Sequence, residues 1–382
     1  MPQLLVGSDG PLVAEADRLG IPTKVLLMPE RMIQWGESGW LWSRSNSVTR
    51  MVTFVEGAVR TGWLGFGYLR RLRRFLFQSR PDVIHSNGLK CHLLTSHAAP
   101  YRCAVIWHVR DFLSHRPVMG HWLRRLTRRP PTLILANSHA VAEDIRALFP
   151  DVPIATLYNG INTDYFAPQP DDRCDLDALA KLSPAPRGIV RVGLVAAYAR
   201  WKGHTLFLDA AARLVHSGIT NCRFYIIGGP IYYTSGSQFS RTELHKCIIN
   251  YGLNQYCGLV PFQTTTLPQV YRSLDVVVHA STRPEPFGRT IVEAMACGRA
   301  VIVSAAGGAA ELFTHGVDAW GVRPGDVQEL AEAMFRLSTD ADLRRRLGQA
   351  ARCTAVERFD RRLMGQRLLQ LYRSLIPSAI DC

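Results

Sequence analysis

The chain has 382 residues, 47% hydrophobic and 20% charged, and its 45 Lys+Arg against 31 Asp+Glu give a net charge of +14. At about 150 residues per domain that length suggests two domains. The composition is that of a packed globular protein, which excludes disordered, collagen-like and coiled-coil classes. Arginine supplies 40 of the basic residues and lysine 5, a bias suited to bidentate contacts with phosphate or carboxylate. No apolar run is long enough to span a bilayer, and the start, Met1 to Asp9, lacks the basic and apolar segments of a signal peptide. The 9 cysteines are scattered without a Cys-x-x-Cys pair, which suits reduced thiols in a cytoplasm better than disulfides or a zinc site.

In chain order, short apolar β-branched runs predict strands at Lys24–Met28, Asp82–His85, Ala104–Val109, Thr132–Ala136 and Ile154–Tyr158, then at Val190–Val195, Arg223–Ile227, Val276–Ala280 and Ala300–Val303. Helical spacing falls between them at Ala140–Phe149, Thr205–Ser217, Arg289–Cys297 and Val327–Leu337, with another helix at Arg361–Ile376. Continuously apolar strands alternating with helices imply an α/β fold with parallel sheets covered on both faces. Proline and acidic enrichment marks 169–187 as a linker, which divides the chain into domains 1–168 and 188–358 and a C-terminal helix, 359–382, packing back towards the first domain. The linker's Asp175-Leu176-Asp177 superficially matches a metal-binding Asp-x-Asp, but no strand leads into it.

The most informative stretch is Arg283-Pro284-Glu285-Pro286-Phe287-Gly288-Arg289-Thr290-Ile291-Val292-Glu293. It follows a strand and opens a helix, the place where α/β proteins bind ligands. The new helix offers free N–H groups at Gly288, Arg289 and Thr290 to a phosphate. Glu285 in the loop and Glu293 about one turn into the helix suit sugar hydroxyls better than phosphate. A second signal is Gly193 to His204, where a strand ends in small residues and a turn brings Arg200 and Lys202 forward, two cations placed to neutralise a diphosphate. Two basic stretches stand apart. Trp63 to Phe77 sets Tyr68, Leu69, Leu72, Phe75 and Leu76 on one face with Arg70, Arg71, Arg73 and Arg74 around the rest; His121 to Arg129 adds Arg124 and Arg125. Docking on an anionic membrane and packing on the protein's own sheet both fit this pattern. No recognised nucleic-acid module accompanies the charge.

With Glu285 and Glu293 separated by seven residues around Pro286-Phe287-Gly288, the sequence resembles the family-4 retaining glycosyltransferases (glycosyl transferases group 1). Trp107 to Asp111, Ala136-Asn137-Ser138, Tyr158 to Phe166, Lys202-Gly203, Ile227-Gly228-Gly229 and Gly307 to Glu311 agree in order, so the resemblance covers nearly the whole chain. It implies a GT-B fold, two Rossmann-like domains whose parallel sheets face an interdomain cleft. It implies a UDP- or GDP-sugar donor as co-substrate, no cofactor and no metal, and a glycan, lipid-linked or small-molecule acceptor, as in cell-envelope polysaccharide assembly. By the same resemblance Glu293 holds the ribose, Lys202, Arg200 and the amides of Gly288 to Thr290 hold the diphosphate, and Pro286, Phe287 and Arg289 complete the donor loop. Glu285 contacts the transferred sugar, and His108 approaches that sugar as a second catalytic-site residue. Two departures are visible. Ala196-Ala197 stands where members carry Gly-Arg, and Gly7 to Val25 resembles the second strand–helix unit of the first domain, so its first unit, with the Gly-rich loop, is expected to be missing. The protein is expected in the cytoplasm or peripherally on the inner face of the cell membrane. The alternative to an enzyme is a non-catalytic nucleotide-sugar-binding or partner-binding protein on the same fold.

Overall fold

The computed structural model describes residues 1–34, 65–115, 117–231, 236–262 and 266–376. These fall into two compact units, one formed by Met1–Trp107 and Pro117–Leu133, the other by His108–Arg116, Ile134–Tyr232 and Gly236–Cys382. Among the described residues no helix is long and apolar enough to cross a membrane.

In the first unit, β1 (Leu4–Val6) pairs in parallel with β2 (Thr23–Val25) across α1 (Pro11–Arg18). A short α2 (Glu30–Gln34) follows, then a helix over 65–79, here α3. β3 (Val83–Asn87), α4 (Leu89–Ala98), most of β4 (Ala104–Val109) and α5 (Pro117–Leu126) complete it. The basic stretch begins at Trp63 and Leu64, outside the described residues, but its helix is present. Tyr68, Leu72 and Leu76 of α3 are buried against Leu5, Leu26, Met28 and Ile84, so the apolar face packs within its own unit. Arg70, Arg71, Arg73 and Arg74 remain exposed, with Arg70 over the Phe66 ring and Arg73 over the Phe77 ring.

The second unit opens with β5 (Leu133–Ala136), α6 (His139–Arg146) and β6 (Ile154–Thr156), β5 pairing in parallel with β6. The predicted linker contains a short helix, α7 (Leu176–Ala180), capped by the Asp175 side chain. Asp177 is buried and accepts hydrogen bonds from Arg223 at 3.1 Å and Tyr225 at 2.8 Å. Asp177 thus ties the linker to the following sheet, while Asp175 starts its helix. That sheet runs β12-β11-β10-β7-β8-β9, where β7 is Val190–Val195, β8 Cys222–Gly228, β9 Cys257–Pro261, β10 Val276–His279, β11 Ala300–Ser304 and β12 Trp320–Val322. All neighbours are parallel, so sequential strands run outwards from β7 on one side and from β10 on the other. The order reverses between β7 and β10, the point where doubly wound sheets open a crevice at their carboxyl ends.

Helices cover both faces: α8 (His204–His216), α9 (Arg241–Asn250) and α12 (Val327–Thr339) share one core, while α10 (Leu267–Ser273), α11 (Arg289–Ala296) and α13 (Ala341–Phe359) share the other. The strands have residues buried on both faces, which is why they read as unbroken apolar runs. At the end of α13 the chain turns through Asp360 into α14 (Arg361–Leu375). There Asp360 bonds Thr163, Arg361 N–H donates to the Ile161 carbonyl at 2.8 Å, and Arg362 pairs with Asp164 at 3.0 Å. The Asn159 to Asp164 motif is therefore a fastener for the C-terminal helix.

Candidate functional site

Lys202 and Glu285 leave the sheet from the two strands that flank the reversal. After β7 the chain makes a single 3-10 turn, Arg200–Lys202, that ends at Gly203 with φ 76°. A Cβ at Gly203 would lie 1.8 Å from the Ala280 carbonyl oxygen, so only glycine allows the turn to press against the end of β10. The Thr282 N–H donates to the Trp201 carbonyl at 2.8 Å and fixes the same approach. On the other flank the Glu285 backbone is held by the Ala306 carbonyl and the Gly308 N–H. Phe287 is buried in the core beside Tyr158 and Phe359, so it anchors the loop and presents backbone only.

The result is a cluster around one carboxylate oxygen. Lys202 Nζ lies 2.6 Å from Glu285 Oε2, Ser281 Oγ lies 3.0 Å from it and His279 Nε2 lies 3.2 Å from it. Glu285 is 8% exposed. Burial alone would raise its pKa, but the His279 hydrogen bond and the Lys202 charge outweigh that and bring it down to about 2. Lys202 also sits over the Trp201 ring at 4.0 Å.

Glu293 lies in α11, whose N-cap, Gly288, has φ 101° and no room for a Cβ against Ile291. Its carboxylate accepts from the buried Tyr271 hydroxyl at 3.0 Å and from Arg289 at 3.1 Å. Burial raises the Glu293 pKa, with Arg289 and Tyr271 pulling the other way. The first bond recorded in this turn is Ile291 N–H to the Gly288 carbonyl, so the amides of Gly288 to Thr290 point out of the helix start. Thr290 is half-buried there and Pro286 half-buried in the preceding loop.

The structure therefore brings together Lys202, Glu285 and, a turn into the helix, Glu293 with Arg289. It does not bring in Arg200, whose guanidinium pairs with Glu243 at 2.9 Å, bonds the Gly236 carbonyl and lies over Phe239 at 4.3 Å. The expectation from the sequence is that one turn brings Arg200 and Lys202 forward together; the 3-10 turn instead gives them different carboxylate partners, Glu243 and Glu285. His108, at the end of β4, is 1% exposed and lies 3.5 Å from the Arg110 guanidinium through Nδ1. Burial lowers the Arg110 pKa and the charge of Arg289 lowers it further, so the two cations share one neighbourhood.

His279, Ser281 and Tyr271 are not among the site residues expected from the sequence. The first two had a signal: polar residues closing an apolar strand, Val276-Val277-Val278-His279-Ala280-Ser281, immediately before the loop. Tyr271 lies in a helix distant in sequence and had none. Glu311 was seen only as part of a motif, yet it accepts from the His139 and Ala140 N–H groups at 2.8 Å and from the Tyr158 hydroxyl at 2.9 Å, closing the start of α6. Among the described residues no group of three or more His, Cys, Asp or Glu is placed to hold a metal ion.

Residues 186–354 match the family described as Glycosyl transferases group 1, and residues 13–165 match Glycosyltransferase Family 4. The D-inositol 3-phosphate glycosyltransferase of Salinispora arenicola is 30% identical over 255 residues, 64% of this chain and 55% of the relative. The lipopolysaccharide core biosynthesis mannosyltransferase LpsB of Rhizobium meliloti is 29% identical over 57% of this chain and 58% of its own. The chain thus spans a little over half the length of these curated relatives. HepE of Anabaena, solved with UDP and with UDP-glucose, superposes with a TM-score of 0.77 for the UDP complex at 24% identity, over 97% of this chain and 91% of HepE. That likeness gives the fold, and the two family matches together cover most of the sequence: the chain belongs to the family-4 glycosyltransferases and has the GT-B architecture of two Rossmann-like domains.

Proposed function

We propose that this protein is a retaining glycosyltransferase that moves a sugar from a UDP- or GDP-sugar to a glycan, lipid-linked or small-molecule acceptor. The observation that carries the reading is the pairing of Lys202 with the buried Glu285 at the strand-order reversal, with Glu293 one turn into the adjoining helix. HepE is solved in complex with UDP-glucose, and the two relatives named above are a D-inositol 3-phosphate glycosyltransferase and a lipopolysaccharide core biosynthesis mannosyltransferase; a uridine donor and a hydroxylated acceptor extend from them.

In this reading Glu293 accepts the ribose hydroxyls, the amides at Gly288 to Thr290 face the diphosphate, and Lys202 turns from Glu285 to the leaving phosphate. A positioned cation stabilises charge that develops only as the sugar departs, which is where catalysis gains most. Arg289, with Arg110 near it, supplies a second positive charge. No metal ion is needed for these roles, and turnover in excess EDTA tests that point. Glu285 receives sugar hydroxyls, and His108 contributes a ring to the sugar-facing side. The exposed arginines of α3, with Arg124 and Arg125 of α5, are assigned to an anionic membrane surface where lipid-linked acceptors reside.

The test is transfer and donor hydrolysis over a panel of UDP-, GDP- and ADP-sugars, beside calorimetry with the nucleotides. Glu285→Ala is expected to cut turnover with nucleotide affinity largely kept, and Glu293→Ala to weaken nucleotide affinity. Nucleotide binding with no turnover on any sugar favours the non-catalytic reading, for which Ala196-Ala197 is the supporting observation. Sedimentation with phosphatidylserine vesicles, compared for the native chain and a variant with Arg70, Arg71, Arg73 and Arg74 changed to Gln, tests the membrane assignment; equal sedimentation of the two refutes it.

A further inference from the structure

We infer that His279 and Ser281 are positioning residues that hold Glu285 by its Oε2 atom, so that Oε1 is presented to the transferred sugar while Lys202 is engaged with the donor diphosphate. This rests on the glycosyltransferase reading above and adds to it two residues and a division of labour between the two carboxylate oxygens.

Three donors converge on Oε2: Lys202 Nζ at 2.6 Å, Ser281 Oγ at 3.0 Å and His279 Nε2 at 3.2 Å. Carboxylate oxygens offer about two lone-pair sites each, so one of the three donors is surplus to what that atom can accept well. The three are not equally fixed. His279 closes β10, a central strand, and Ser281 follows two residues later; they are 5% and 1% exposed. Lys202 stands at the end of a single 3-10 turn on a flexible four-carbon stem, and its side chain is 17% exposed. Lys202 is therefore the donor free to leave.

If Lys202 were the sole partner of Glu285, its departure to a diphosphate would strand a buried carboxylate, which would swing away or take up a proton. With His279 and Ser281 in place, Oε2 keeps two donors from rigid backbone and the carboxylate plane does not turn. The Ser281 oxygen also lies 3.0 Å from His279 Nε2, where it can share the Nε2–H with the carboxylate while its own O–H donates to Oε2. A ring proton must sit on Nε2 to face the carboxylate. That leaves His279 Nδ1 buried without a hydrogen-bond partner among the described residues, a cost to the fold that a Val or Leu at the strand end would avoid. The imidazole is thus poorly explained as core packing and well explained by what it does for Glu285.

The test compares the native chain with His279→Leu, His279→Gln, Ser281→Ala and the Leu/Ala double variant, first for thermal midpoint, then for turnover and for UDP and UDP-glucose affinity by calorimetry. Losing a hydrogen bond to a charged group is expected to lower kcat about tenfold in each of His279→Leu and Ser281→Ala, and further in the double variant. UDP affinity should stay near native, while the difference in affinity between UDP-glucose and UDP shrinks. His279→Gln, whose amide nitrogen reaches the Nε2 position, should recover most of kcat. Native kcat in the double variant overturns the inference and leaves the glycosyltransferase reading standing. So does a parallel loss of UDP affinity, kcat and thermal midpoint without rescue by Gln. A native chain that binds and turns over none of the nucleotide-sugars overturns the reading itself, and this inference with it.

Discussion

Replacing Lys202 by Met tests the electrostatics of the cluster independently of any substrate. The ammonium lies 2.6 Å from a carboxylate whose side chain is 10% exposed. Burial works against ionisation of Glu285, yet the His279 hydrogen bond and the Lys202 charge bring its pKa from 4.5 to about 2. At about 1.4 kcal/mol per unit, the donors together favour the ionised form by about 3 kcal/mol after the cost of burial. Because the folded value lies below the unfolded one, this stability is fully present above about pH 4.5 and is lost as the pH falls towards 2. Lys202→Met removes one of the two largest favourable contributions and leaves a buried charge underpaired, so a loss of about 2–4 kcal/mol near neutral pH is expected. About 0.5–1 kcal/mol of that is the contact with the Trp201 ring, which substitution at Glu285 cannot restore. Urea denaturation at a series of pH values is the assay. The gap between native and Lys202→Met should narrow as the pH falls below about 4.5, and Lys202→Met/Glu285→Gln should recover all but the ring contact. Equal instability of the single and double variants would mean that packing, not an underpaired carboxylate, carries the loss, and the reasoning would fail.

Gly203→Ala is expected to cost about 1–2 kcal/mol from its left-handed backbone alone, and more from the Ala280 carbonyl 1.8 Å from the new Cβ; relief must move Lys202, so turnover should fall beyond the stability loss, and a variant with native activity would show that the turn does not set the cluster. Asp177→Ala strips a buried partner from Arg223, whose side chain is 9% exposed, and should lower stability by about 3–5 kcal/mol, read as a fall in thermal midpoint; an unchanged midpoint would refute the fastening role of the linker. UDP affinity should weaken on acidification while Glu285 is still ionised, because burial raises Glu293 above the usual carboxylate value whereas Glu285 stays ionised to about 2. Calorimetry with Glu293→Gln as the control decides this: a variant with the same pH slope as the native chain would assign the effect to another group.

The parts of the site that a single stretch of sequence can encode were legible. Glu285, Gly288 and Glu293 lie on one loop and one helix, so strand, loop and helix periodicity places them without reference to the rest of the chain. β4 and β7 match their predicted bounds residue for residue, because buried parallel strands are unbroken apolar runs. Strands β1 and β12 were missed, the latter with Gly321 at its centre, and β9, Cys257–Pro261, was missed because Gly258 interrupts it and it ends in proline. Illegible was whatever depends on two distant segments meeting. Lys202 and Glu285 lie 83 residues apart, and what joins them is the parallel register of β7 with β10 together with a glycine that lets the 3-10 turn touch the end of β10. The same turn separates Arg200 from Lys202, although the two are neighbours but one in sequence. A cation's position in a motif therefore says little about which anion it meets; the backbone conformation between the motif's residues decides that. Here it sets Lys202 against Glu285 and Arg200 against Glu243.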